Sequence, residues 1–177
     1  MLGWLNWSSS GSPSKLYHAG QMVTSPPLLA EIMNTYFVNK IDTICQGLPR
    51  QSDDPLSTLK NILGNRSSKF SLACVHPDEV RKIILNLKNS KSCGVDTIDT
   101  YTIKLMVDDI LPTVTHIVNL SIQQAVFPSL YKVAKVIPLH KKDDLLNPKN
   151  YRPVAIIPIF SKVLERVIFS HIIKYLS

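Results

Sequence analysis

Apolar residues first fall at helical spacing between Leu28 and about Ile44. Leu29, Ile32, Met33, Tyr36, Phe37 and Ile41 share one face there, with Gly47 and Pro49 beyond as stop signals. The spacing predicts an amphipathic helix. Residues 1–27 show no sustained period and are rich in Ser, Gly and Pro, so they read as a disordered linker or tail. Residues 49–75 mix Pro, Asp, Asn, Gly and Ser around one short helical candidate, Leu56 to Leu63, and read as a mobile connection.

His76-Pro77-Asp78-Glu79 opens a second helix well. Proline is preorganised for the first turn, and two acids favour the positive end of the dipole. Val80, Ile83, Ile84 and Leu87 make its apolar stripe. A turn-rich loop from Asn89 to Asp96 leads to a short helix near Thr100 to Val107. A longer helix then runs from Pro112 to about Ala125, with Leu111, Val114, Val118, Ile122 and Ala125 on its apolar face and Phe127-Pro128 as its stop.

The pattern then changes period. Lys132 to Leu139 is β-branched and compact, Asp143 to Lys149 is a polar turn, and Val154 to Ile157 is a second short apolar run, which predicts a β-hairpin. Pro138, Pro153 and Pro158 predict that these strands are at an edge or are short. Ser161 is positioned to cap a last helix whose stripe is Val163, Leu164, Val167, Ile168 and Ile172. The expected class is α+β, mostly helical with one antiparallel hairpin. The expected division is 1–27, 28–75 and 76–177.

Composition narrows the function classes. Of the 177 residues, 45% are hydrophobic and 19% charged, which supplies a core and excludes wholesale disorder. Every apolar run is interrupted before the roughly 18 residues that a membrane span needs. The first residues have neither a basic nor an apolar signal region, so an intracellular compartment is expected, nucleus and cytoplasm being equally open. Cys45, Cys74 and Cys93 are too few and too far apart for a disulfide framework or a zinc site.

The net charge is +7, from 20 Lys and Arg against 13 Asp and Glu, and it is unevenly placed. Residues 131–177 carry nine basic and three acidic side chains, a net of +6. A basic stretch within folded sequence suits a polyanion, although charge alone favours a solvated surface.

The order of residues decides between them. Lys135-Val136-Ile137-Pro138-Leu139-His140-Lys141-Lys142, then Asn150-Tyr151-Arg152-Pro153-Val154, then Leu164-Glu165 resembles the reverse transcriptase of non-LTR (LINE-type) retrotransposons. Upstream, Lys91-Ser92-Cys93-Gly94-Val95-Asp96-Thr97-Ile98 is similar to that family's Lys-Ser-x-Gly-Pro-Asp-Gly-Ile loop, with Val95 for Pro and Thr97 for Gly. The resemblance covers about residue 76 onward. It implies the fingers part of a right-hand polymerase, incomplete because the palm motifs with their metal-binding carboxylates come later in the family.

By motif position the resemblance assigns the incoming nucleotide to Lys141, Lys142 and Arg152. Lys132, Lys135 and Lys149 are the accompanying nucleic-acid contacts. Arginine offers phosphate a planar fork of donors, and lysine a mobile point charge. The implied partners are an RNA template, a DNA primer and a deoxynucleoside triphosphate, and Mg²⁺ is the implied cofactor of the full-length enzyme. No catalytic or metal-binding residue is expected here. Asp53-Asp54, Asp108-Asp109 and Asp143-Asp144 fall in loops or at a helix end. An isolated final helix is expected to expose Val163, Leu164, Val167 and Ile168. The alternative reading is a non-catalytic basic module that binds nucleic acid or a protein.

Overall fold

The structure, a computed structural model, describes residues 12–48, 56–57 and 70–177. The chain begins with a hairpin, β1 (Leu16–His18) and β2 (Gln21–Val23), then α1 (Pro26–Gly47). There follow α2 (Pro77–Asn86), α3 (Thr100–Leu105) and α4 (Val107–Gln124). A second hairpin, β3 (Lys135–His140) and β4 (Tyr151–Ile156), precedes α5 (Ile159–Leu176). The α+β class holds, with two antiparallel hairpins where the sequence pattern predicted one.

The unpredicted hairpin lies inside the stretch read as a linker. Its two-residue turn, Ala19-Gly20, has both φ angles positive, at 49° and 81°. That is the turn geometry whose twist matches paired strands. Strands of three residues are too short to produce a visible alternation, so the turn dipeptide was the only local signal. Of the 49–75 connection, residues 49–55 and 58–69 lie outside the described residues, as does all but the start of the Leu56 to Leu63 candidate.

The helices follow their predicted stripes except at the C-terminal ends, where Ile41, Ala125 and Ile172 are exposed, and two starts differ from the sequence reading. His76 caps α2 through Nδ1, which accepts from the Asp78 amide, and Asp99 caps α3 by accepting from Thr102 at 2.7 Å. That backbone hydrogen bond is the main reason the Asp99 carboxyl titrates below its ordinary value. α4 begins at Val107, one turn before the predicted Pro112. Met106, at φ −98° and ψ 11°, separates it from α3, and Asp108 and Asp109 occupy its first turn. Asp108 pairs with Arg81 of α2. Ser161 does not cap α5. Pro158 is the capping position, and buried Ser161 instead donates to Glu165 within the helix.

Two clusters of buried side chains hold the chain together. The larger joins Val80 and Ile84 of α2, Ile103, Val107, Val114 and Val118 of α3 and α4, and Ile159, Val163, Leu164 and Val167 of α5. The expected exposure of Val163, Leu164 and Val167 is therefore wrong, since all three are fully buried, and Ile168 is half-buried. The helices upstream already cover that stripe. Asn119 clasps the chain leading into α2, accepting from the Val75 amide at 2.8 Å and donating to its carbonyl at 3.0 Å. The smaller cluster joins Leu16 of β1 and Leu29, Ile32, Met33 and Phe37 of α1 to Tyr151 of β4. It seats the second hairpin on the N-terminal segment.

Candidate nucleotide-facing hairpin

β3 and β4 pair in register, Lys135 opposite Ile156, Ile137 opposite Val154 and Leu139 opposite Arg152. Directly opposed residues share a face, so Lys135, Ile137 and Leu139 lie on one side with Arg152, Val154 and Ile156. The other side carries Val136, Pro138 and Tyr151, all buried, together with Pro153 and Ala155, which are exposed. Arg152 and Val154 are exposed too, so β4 lies open from Arg152 to Ala155 while the residues of β3 are buried or half-buried. Lys135 and Arg152 stand at the two ends of the first face, separated by four strand residues or roughly 13 Å.

The ten residues joining the strands are tightly ordered by their own polar groups. Lys141 N–H donates to the Asn150 carbonyl at 2.8 Å, extending the ladder past the His140–Tyr151 pair. The Asp144 carboxylate accepts from the Leu146 amide at 2.9 Å, and its carbonyl accepts from the Asn150 side chain, also at 2.9 Å. The Asn147 side chain accepts from the Lys149 amide at 3.0 Å. Asp143 takes a positive φ of 63°, a conformation Asp tolerates better than most residues. Its carbonyl lies 3.2 Å from His140 Nε2.

Tyr151, absent from the sequence-based site, anchors this arrangement. It is 1% exposed, its ring meets His140 edge-on at 5.2 Å, and its hydroxyl donates to the Leu145 carbonyl at 2.7 Å. Burial, then the nearby Asp144 charge, raises its pKa above the ordinary tyrosine value. The Leu146 carbonyl accepts from the Tyr17 amide at 2.9 Å, so the first hairpin fastens the same loop. The signal for Tyr151 was its place beside Arg-Pro, but the core residues that bury it, Leu16, Leu29, Ile32, Met33 and Phe37, are far away in sequence.

The predicted site residues divide into two groups. Lys141, Lys142, Lys149 and Arg152 cluster at the loop end, and all four are exposed. Lys132, in a 3₁₀ turn, and Lys135, half-buried, stand at the base of the hairpin. None of these six forms an ion pair among the described residues. The base is also where the loop of residues 89–98 packs. A Cβ on Gly94 would come within 2.9 Å of the Pro158 nitrogen and 3.1 Å of the Ile157 carbonyl carbon. Thr97 adopts a φ of 58°, the left-handed conformation that suits the glycine usual at this place in the resembling family.

A two-metal polymerase centre needs carboxylates grouped around the ions. Among the described residues no group of three or more His, Cys, Asp or Glu side chains is placed to hold a metal ion. Asp108 is engaged by Arg81, and Asp144 by the Leu146 amide. Asp53 and Asp54 lie outside the described residues. The described donors do not fit the Mg²⁺ centre that the resemblance implies for a complete enzyme. Also among the described residues, no helix is long and apolar enough to cross a membrane.

Comparison with known proteins gives relatives that include RNA-directed DNA polymerases of mobile elements. The chain is 31% identical over 103 residues, 58% of its length, to the RNA-directed DNA polymerase from mobile element jockey of Drosophila melanogaster. It is 32% identical over 97 residues to the jockey polymerase of Drosophila funebris. It is 30% identical over 102 residues to the probable RNA-directed DNA polymerase from transposon X-element of Drosophila melanogaster. The matched stretch spans 11% of the length of each of these relatives. No family model matches the chain. The resemblance to non-LTR retrotransposon reverse transcriptases is borne out.

Proposed function

We propose that this chain is a fragment of a retrotransposon RNA-directed DNA polymerase and supplies fingers elements of its right-hand fold. Its exposed strand β4, at Arg152, meets the incoming deoxynucleoside triphosphate. The observation that carries the reading is Arg152, exposed and without an ion-pair partner among the described residues, beside the buried anchor Tyr151. A guanidinium that is held at its backbone and left unpaired at its head is available to grip two phosphate oxygens. Lys141 and Lys142 add mobile charge beside it. Lys132, Lys135 and Lys149 contact the template RNA and primer DNA along the same hairpin.

On this reading the carboxylates that would hold Mg²⁺, and with it activate the primer hydroxyl, are those of the polymerase's palm, and the expected result for this segment by itself is no primer extension. The test is a full-length polymerase carrying this segment. Arg152→Ala should raise the apparent nucleotide KM by about tenfold or more, the loss of a charge-assisted contact of roughly 1.5–3 kcal/mol. Lys149→Ala should change it far less. Equal small effects would make Arg152-Pro153 a structural corner instead. Primer extension by the isolated chain on a primed RNA would overturn the fragment reading.

A further inference from the structure

His140 closes the turn that carries Lys141 and Lys142. Its Nε2 lies 3.2 Å from the Asp143 carbonyl, and because a carbonyl only accepts, Nε2 is the nitrogen that carries the proton. The bond runs from the residue before the lysine pair to the residue after it. The His140 ring meets Tyr151 edge-on at 5.2 Å, so the donor is mounted on the buried anchor of β4. His140 is half-buried, whereas Lys141, Lys142 and Asp143 are exposed.

The rest of the turn is fastened on either side of this contact. The Lys141 N–H donates to the Asn150 carbonyl at 2.8 Å, and the Asn150 side chain donates to the Asp144 carbonyl at 2.9 Å. Between them Asp143 holds a φ of 63°, in the left-handed region that side chains populate sparingly. The imidazole N–H supports the backbone at that residue. The strand register continues past the His140–Tyr151 pair to set Lys141 opposite Asn150. Alternation then puts Lys141 on the Arg152 side of the pleat and His140 on the Tyr151 side.

We propose that His140 is a positioning residue of the nucleotide site, holding the Lys141-Lys142 turn where both lysines meet the triphosphate together with Arg152. The inference rests on the nucleotide reading of the hairpin and adds the group that orders its lysines. A lysine is a mobile point charge, so its grip on phosphate weakens when its backbone must also be ordered on binding. Fixing the peptide from His140 to Asp143 beforehand removes that part of the ordering from the binding step. Packing against Tyr151 needs only the ring, whereas positioning needs the N–H.

Two replacements separate the donor from the ring. His140→Gln loses the ring and keeps a donor nitrogen about where Nε2 stands, while His140→Phe keeps the ring and loses the donor. In the chain itself, proton-nitrogen correlation NMR of the neutral imidazole should show the Nε2–H tautomer, and the Nδ1–H tautomer would overturn the proposal. In the full-length polymerase carrying this segment, His140→Phe should raise the nucleotide KM by about fivefold with kcat changed by less than about twofold. His140→Gln should keep KM within about twofold of the wild type. A role in packing alone predicts the reverse order, with Gln the more damaging, and that order or equal KM values for the two variants would overturn the proposal. Arg152→Ala separates the two levels of inference. If it raises KM and His140→Phe does not, the positioning role alone falls; if neither raises KM, the nucleotide reading falls with it.

Discussion

The Tyr151 hydroxyl donates to the Leu145 carbonyl at 2.7 Å, tying the start of β4 to the loop that precedes it. Arg152 is the next residue, so the bond and the buried ring fix the backbone from which the arginine projects. Tyr151→Phe removes the bond and keeps the packing, and should cost about 1 kcal/mol. Tyr151→Ala also empties a site in the smaller core and should cost about 3–5 kcal/mol. Urea denaturation of the two variants measures both.

Tyr131 and Tyr151 should ionise above the ordinary tyrosine range. Burial is the first cause in each, followed by the Asp96 charge for Tyr131 and the Asp144 charge for Tyr151. A folded-state pKa raised above the unfolded value of about 10 means that folding favours the neutral phenol. That stability is fully present below the unfolded pKa and is lost as pH rises through the folded values. Phenolate absorbance in an alkaline titration should therefore show late titration of two groups, coinciding with unfolding. Tyr131→Phe and Tyr151→Phe should each remove part of the late component.

Thr97 is β-branched and held at a φ of 58°, which strains its backbone. Thr97→Gly should stabilise the chain by about 1 kcal/mol, since the left-handed conformation costs an ordinary residue roughly 1–2 kcal/mol and the added freedom of the unfolded glycine returns part of it. Gly94→Ala should act in the opposite direction by about 1–3 kcal/mol, because the methyl meets backbone at Pro158 and Ile157. Paired thermal melts decide the signs.

The N-terminal hairpin and α1 should control the order of the loop they contact. Met33→Ala, in the cluster that contains Tyr151, should destabilise the chain by about 2–5 kcal/mol. It should also speed hydrogen exchange at the Tyr17 amide, whose acceptor is Leu146. If the loop were held only by its own hydrogen bonds, exchange at the Leu146 and Lys149 amides would be unchanged.

Nucleic-acid binding through residues 131–177 should be weak, independent of sequence and sensitive to salt. If about six phosphates are contacted, the slope of log K against log salt on single strands should be near −4, at roughly 0.7 per phosphate. Filter binding over a range of salt gives the slope. Lys132→Ala and Lys135→Ala should each make it shallower by nearly the per-phosphate value.

The local order of residues determined much of this protein. Helical spacing marked α1, α2 and α5, because each buries a stripe whose period survives in the sequence. The period change at Lys132 marked β3. The motif order around Arg152 carried the resemblance that the Drosophila relatives bear out. What only the tertiary structure decided rests on contacts between distant residues. Leu16 gives no signal of its own, yet it is fully buried against α1 and Tyr151, turning an apparent linker into the support of the hairpin. Val163, Leu164 and Val167 looked like a stripe awaiting a partner, and α2, α3 and α4 already cover it. A stripe states that a face will be buried, but the element that buries it is chosen by packing across the whole chain. Beyond Val167 the contact of α5 with α2 continues through Ser170 and His171, which meet Glu79, so packing again decides which side of the helix stays exposed.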